Sequence, residues 1–273
     1  MMTSPARYLD LSDANWSACL LSSYANLRHS WPTQWIGLVK AVQDCAAFLQ
    51  LPGTPGDSQT RLLLELALTV ARQIEAEKGC GIETLEPCYH NRLHFADSLT
   101  AITLQCSLEL RQGAAPDSAW QAALLLIAVA HDFHHTGRVN RHTSDIESAS
   151  FEALLPLLSS AQLSAIWIER IRTVILRSDF SLVQENHVRV AGCPFQWNTE
   201  WATVLLNEAD ILASASADFG PALSQALSKE WEAIEFPPHT TVATKSGRQQ
   251  FLSSAQFSSY SARTLSAGIL APH

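Results

Sequence analysis

"AALLLIAVAHDFHHTG", residues 122–137, sets an unbroken apolar run against four ionisable side chains: His131, Asp132, His134 and His135. The run from Ala122 to Ala130 is that of a helix buried on all sides. Burying imidazoles and a carboxylate at its end is costly unless each finds a partner or a cation. The remainder of the chain has to supply that partner.

Working outward, helical periodicity recurs. Apolar residues at helical spacing with a polar opposite face run from Gln59 to Glu77, and again from Phe95 to Leu110. Ala119–Ala130, Ile146–Leu158, Ala161–Leu176 and Trp201–Ser214 continue the pattern. Strand-like alternation is confined to His187–Ala191 (HVRVA), which reads as a hairpin fragment at most. The expected fold is all-α, a compact multi-helix bundle. Gly- and Pro-bearing breaks fall at 51–57, 79–81, 113–116 and 192–198. The first divides an N-terminal helical cap, residues 1–58, from a main body of residues 59–273 on which it packs. Within that body, residues 60–235 are expected to form one bundle with a single metal-lined cleft.

The chain has 273 residues, 47% hydrophobic and 16% charged, enough for one large core. A net charge of −8 and the lack of any basic run exclude a nucleic-acid-binding face. No apolar stretch is long enough to cross a bilayer. The opening MMTSPARYLDLSDANW lacks the basic-then-apolar layout of a signal peptide, so a cytoplasmic location is expected. The six cysteines include no CxxC and read as small buried hydrophobes or free thiols. A pairing or metal role for Cys80 and Cys88, either side of a short loop, is the lesser reading.

"YHNRLHFADS", residues 89–98, places His90 and His94 four apart, on one face if the segment is helical. In "LLNEADIL", residues 205–212, Asp210 interrupts an apolar helix where a lone carboxylate would be expensive. His94, His131, Asp132 and Asp210 thus offer two imidazoles and two carboxylates from three helices. Mixed N and O donors suit Zn, Fe, Mn, Co or Ni.

These residues carry a resemblance. Their order is similar to that of the HD-domain metal-dependent phosphohydrolases, an all-α superfamily. The chain more closely resembles the catalytic domain of class I 3′,5′-cyclic-nucleotide phosphodiesterases over roughly residues 60–235. The motif HNxxHxxD is met by His90 to Asp97, with Tyr89 before it. HDxxHxGxxN is met by His131 to Asn140, with Thr136 where the family usually has Pro. Glu147 matches a following Glu, although Ser148-Ala149-Ser150 replaces the His pair after it. Ser178-Asp179-Phe180 and Ala209-Asp210 match two further segments.

The resemblance implies two divalent cations, Zn, Fe or Mn in the first site and Mg or Mn in the second. His94, His131, Asp132 and Asp210 would hold the first, and Asp132 would bridge to the second. Two such ions about 3.5–4 Å apart share a hydroxide that attacks phosphorus in line. His90 falls at the general acid, while Asn91, His135, Glu147 and Asp179 fall at supporting positions, with Asp97 an orienting or capping residue. The family's purine-holding glutamine precedes Phe by three residues. Here those places are Arg248 and Ser254, and Gln249, Gln250 and Gln256, with Phe251 and Phe257, are the nearest candidates for a substrate pocket. The implied substrate is a small phosphoester, a cyclic nucleotide or related diester. Rival readings are a nucleotide phosphomonoesterase and a di-iron oxygenase. The oxygenase requires further imidazoles, for which His134, His142 and His187 are available.

Overall fold

Loops repeatedly end on a residue whose side chain caps the helix that follows. Asn15, Asn91, Asp117 and Asn198 each accept a hydrogen bond from a first-turn amide: Ala18, Leu93 and His94, Trp120, and Trp201. Such caps satisfy amides that a helix start otherwise leaves bare. In the computed structural model, which describes residues 15–52, 57–78 and 86–270, every regular element is helical. The chain runs through α1 (Trp16–Ser30), α2 (Leu38–Phe48), α3 (Ser58–Lys78), α4 (Arg92–Arg111), α5 (Ser118–Ala130), α6 (Asp145–Ser160) and α7 (Ala165–Leu176). A 3-10 turn (Phe180–Leu182) leads to α8 (Val183–Val190) and α9 (Thr199–Ala215). The C-terminal part holds α10 (Gly220–Glu232), α11 (His239–Val242), α12 (Lys245–Ser254) and α13 (Tyr260–Ser266).

Apolar all round, α5 has to be enclosed by other helices. Every residue from Trp120 to Ala130 is buried, and α3 packs along it. α4 and α9 lie beside it and against each other, so the three most buried helices form the centre. Each fully buried Leu or Ile there, such as Leu124, Leu125 and Ile127, contributes about 1.5–3 kcal/mol relative to exposure.

The N-terminal helices are built onto this centre. α1 packs on α4 and α13, and α2 on α3 and α4. Glu75 of α3 accepts from the Trp35 indole (2.8 Å), the Leu38 amide (2.6 Å) and the Arg92 guanidinium (2.5 Å). The C-terminal segment is keyed in by two buried carboxylates. Glu208 accepts from the amides of Ser258 and Ser259 and from the Ser259 hydroxyl, and Glu109 from the Ser261 amide. Ser17 of α1 in turn donates to the carbonyls of Thr264 and Leu265.

Three sequence expectations are corrected. The supposed hairpin fragment 187–191 lies in α8 and the turn after it. Its buried residues Asn186, His187 and Val190 follow helical spacing against α9, and among the described residues no strand exists to pair with it. Packing has overridden a short alternation. The helix expected from Ala161 begins at Ala165, because Gln162 is left-handed (φ 55°) and Ser164 extended. His90 precedes α4 instead of sharing a helical face with His94, since Asn91 is the cap. Cys88 and Cys193 are exposed free thiols, and Cys80 lies outside the described residues. Among the described residues no helix is long and apolar enough to cross a membrane.

Candidate metal centre

The Asn91 cap fixes where α4 starts and puts His94 in its first turn, side chain inward. His131 directly follows α5, its ring Nδ1 3.0 Å from the Ala128 carbonyl. That carbonyl can only accept, so Nδ1 carries the hydrogen and Nε2 presents its lone pair to the interior. Asp132 follows in the same turn, and Asp210 arrives from the C-terminal half of α9.

The four side chains meet. His94 Nε2 lies 3.0 Å from Asp210 Oδ1 and 3.4 Å from Asp132 Oδ2. His131 Nε2 lies 3.4 and 3.3 Å from the same two oxygens. Yet His94 Nε2, His131 Nε2 and Asp210 Oδ1 are fully buried and make no hydrogen bond. Close approach without hydrogen-bond geometry means that the atoms aim at a shared point and not at one another. Ligands bonded to one cation at about 2.1 Å sit about 3.0–3.4 Å apart, which is the spacing found. Two imidazole nitrogens and carboxylate oxygens are a donor set for a borderline divalent cation. The residues fit a metal ion.

The two carboxylates also favour positive charge at this point. Burial alone would lower the His94 imidazole, but the Asp132 and Asp210 carboxylates outweigh it and raise its pKa to about 9. His131 is raised by the same two carboxylates against its own burial. Burial opposes charge on Asp132 and Asp210 as well, and the imidazoles hold both below the usual carboxylate range. Asp210 is partly open to solvent, with 29% side-chain exposure, although its Oδ1 is not.

A second cluster adjoins the first, the His90 ring centre being 5.6 Å from that of His94. His90 Nδ1 lies 2.5 Å from Glu230 Oε1, and Glu230 Oε2 accepts from the amides of Tyr89 and His90. Burial would raise the Glu230 carboxyl, but its contacts with His90 and the two amides lower it. The ring of His135 stacks on His90 at 3.9 Å, and its Nδ1 accepts from the Gly137 amide at 3.0 Å. Burial and the neighbouring His90 push the His135 imidazole down to about 4. Gly137 is left-handed (φ 77°), and a Cβ there would come within 3.0 Å of the Glu230 side chain. The motif glycine therefore lets the turn after Asp132 approach α10. Glu230 is the residue the sequence did not disclose: it is one of three acids in "KEWEAIE", residues 229–235, with nothing local to single it out.

The other expected residues are distributed around this centre. Asn91 is the α4 cap. Glu147 is paired with the Asn140 amide and raised to about 7, chiefly by burial. Asp179 accepts from the amides of Ser144 and Ser181. Asp97 is no cap; it lies inside α4, ion-paired with Arg28. A small recess beside Asp132 is also lined by Glu77, Glu86, His90 and His134. Gln249 and Gln250 are exposed on α12; Phe251, Gln256 and Phe257 are half-buried, and none of the five lines that recess. Arg248 donates to the carbonyls of Ser214 and Ser216 at the end of α9. His142 is exposed beside Asp145, and His187 is buried 2.7 Å from the Ser258 hydroxyl.

No protein-family model matches the sequence, and no curated protein matches it. Among solved structures, the chain is similar to LmjPDEB1 from Leishmania, a phosphodiesterase catalytic domain solved in complex with IBMX. The two share 13% identity over 90% of this chain and 84% of that one, with a TM-score of 0.60. The chain has a phosphodiesterase-like, all-helical fold. At that identity the likeness establishes the fold, and the chemistry has to be argued from the side chains. The phosphodiesterase-like fold brings α4, the turn after α5, and α9 to one point.

Proposed function

We propose that this protein is a metal-dependent phosphohydrolase that cleaves a cyclic nucleotide or related phosphodiester. One observation carries the reading: three buried atoms without hydrogen bonds, on His94, His131 and Asp210, converge beside a hydrogen-bonded His90–Glu230 pair. Unsatisfied donor atoms next to an oriented imidazole are what a cation site with a proton donor requires. The likeness in fold to a phosphodiesterase domain supports it.

His94, His131, Asp132 and Asp210 would hold the first cation. Asp132 also lines a recess with Glu77, Glu86 and His134, and would contribute to holding a second cation. A divalent cation there supplies positive charge to a phosphoryl oxygen and acidity to a water. Glu230 holds the Nδ1 hydrogen of His90, leaving Nε2 to carry a proton to the departing sugar oxygen as its bond to phosphorus breaks. His135, stacked on His90 and neutral, steadies that ring without competing for its proton. The oxygenase reading has less support: His142 is exposed beside Asp145 and His187 is buried against Ser258, which leaves His134 in the recess beside Asp132. Among the described residues, the two groups of potential metal ligands are His94, His131 and Asp210, and His90, His135 and Glu230. Neither includes His134, His142 or His187.

Metal analysis of the purified protein, with assays on cyclic nucleotides, linear diesters and monoesters, tests the proposal. Hydrolysis of a diester that chelation abolishes is expected. A protein that binds a divalent cation yet cleaves no phosphoester would overturn it, and cleavage of monoesters alone would move it to the phosphomonoesterases.

A further inference from the structure

Arg28, on α1, reaches into the centre of the protein. Its guanidinium grips Asp97 with both prongs, Nη1 to Oδ1 at 2.8 Å and Nη2 to Oδ2 at 2.7 Å. Asp97 is 2% exposed and lies three residues after His94 on α4, on the same helical face. The same guanidinium stands 4.5 Å from the ring centre of Phe219. Phe219 directly precedes α10, the helix that presents Glu230 to His90. Tyr24, one turn before Arg28, meets Phe219 edge-on at 6.1 Å. One residue of the N-terminal helix thus abuts the supports of both clusters.

We infer that α1 is a working part of the metal centre, with Arg28 a positioning residue that, through Asp97, sets how tightly His94 and its partners hold a cation. The inference rests on the metal-site reading above and adds a residue that does not itself touch the cation. A planar two-pronged pair fixes the orientation of a carboxylate as a single contact does not. Held this way, Asp97 locks the first turns of α4 and with them the direction of His94 Nε2. Removing a partner behind a ligand typically costs about 10–100-fold in metal affinity. The competing account is that the pair only stabilises the fold.

The test measures Zn²⁺ affinity by chelator competition, and the visible spectrum of the Co²⁺-loaded protein, in wild type, Arg28→Lys, Arg28→Met and Leu20→Ala. Leu20 is fully buried on the same helix, two turns before Arg28, and its truncation lowers stability while leaving the Arg28–Asp97 pair in the sequence. The expected result is Zn²⁺ affinity reduced roughly 10–100-fold in Arg28→Met and less in Arg28→Lys, with an altered Co²⁺ spectrum. Leu20→Ala should keep both, however much its melting temperature falls. Should Arg28→Met fail to fold, Arg28→Lys, which keeps the charge but not the two-pronged geometry, carries the comparison. Arg28 variants that bind like wild type, or a Leu20→Ala loss of equal size, would overturn the positioning role. Wild type that binds neither ion would instead sink the metal-site reading, and this inference with it.

Discussion

Two imidazole–carboxylate clusters lie side by side in this protein, and their hydrogen bonding differs completely. Around His94, His131 and Asp210 three buried atoms have no hydrogen-bond partner; around His90, Glu230 and His135 the contacting atoms are paired. Both sets bring their donor atoms close enough to be taken for metal sites. Unsatisfied buried atoms cost free energy; others stand elsewhere, as at Tyr24, Ser98 and His187 Nε2, but here three converge on one point. Proximity marks both clusters; on the proposed reading, satisfaction separates the cation site from the pair that orients a proton. A third imidazole calibrates the pair. His187 is buried without an opposing charge and is pushed down to about 4 by burial alone, whereas His94, facing two carboxylates, is raised to about 9.

The largest effect that can break the comparison is at Asp210. Asp210→Ala should drop bound metal sharply and take activity to background, as measured by elemental analysis and turnover; full metal content would show the unpartnered atoms to be misread. Next comes His90→Asn, which should keep metal while slowing turnover by roughly 10²–10⁴-fold. Its loss should shrink on a nitrophenyl ester, whose leaving group needs no proton, and equal losses on both substrates would remove His90 as the acid. Glu230→Gln keeps an acceptor for Nδ1 but loses the charge. A fall in turnover of about 10–100-fold, again with metal retained, is expected from rates and metal content measured together. The smallest effect concerns stability. Above its ordinary pKa of 6.5, His187 is neutral folded or unfolded. As pH falls from there, the unfolded chain takes up a proton that the folded protein refuses until about pH 4, so stability is lost across that window. Melting midpoints at pH 7 and 5 should differ by about 2–4 °C more in wild type than in His187→Gln.

What the sequence disclosed follows from energetic cost. His131, Asp132 and Asp210 are ions at the end of an apolar run or inside an apolar helix, and such groups stand out because burying them is expensive. A long amphipathic segment such as α3 is legible for the same reason: the buried stripe has to repeat with the helix; the polar face expected on α4 is instead buried, at Ser98, Thr103 and Gln105. Glu230 and Arg28 were not legible. Each sits among polar neighbours on a helix whose sequence reads as a solvated face, and what selects it is the approach of a distant segment: the turn at 87–90 for Glu230, and Asp97 for Arg28. HVRVA was misread because five residues of alternation carry less information than the helix they pack against.

The clasp between Glu109, Glu208 and the serines at 258–261 bears on how the chain reaches this state. Ser261 meets a carboxylate 152 positions earlier, and Ser17 closes on a carbonyl 247 positions later. Contacts so distant in sequence form slowly, because the intervening chain must first be brought round. During synthesis α4 and α9 leave the ribosome well before residues 258–261, each with a carboxylate destined for the interior and its partners not yet made. The Glu109 and Glu208 carboxylates therefore find these partners only after the serine segment has been made.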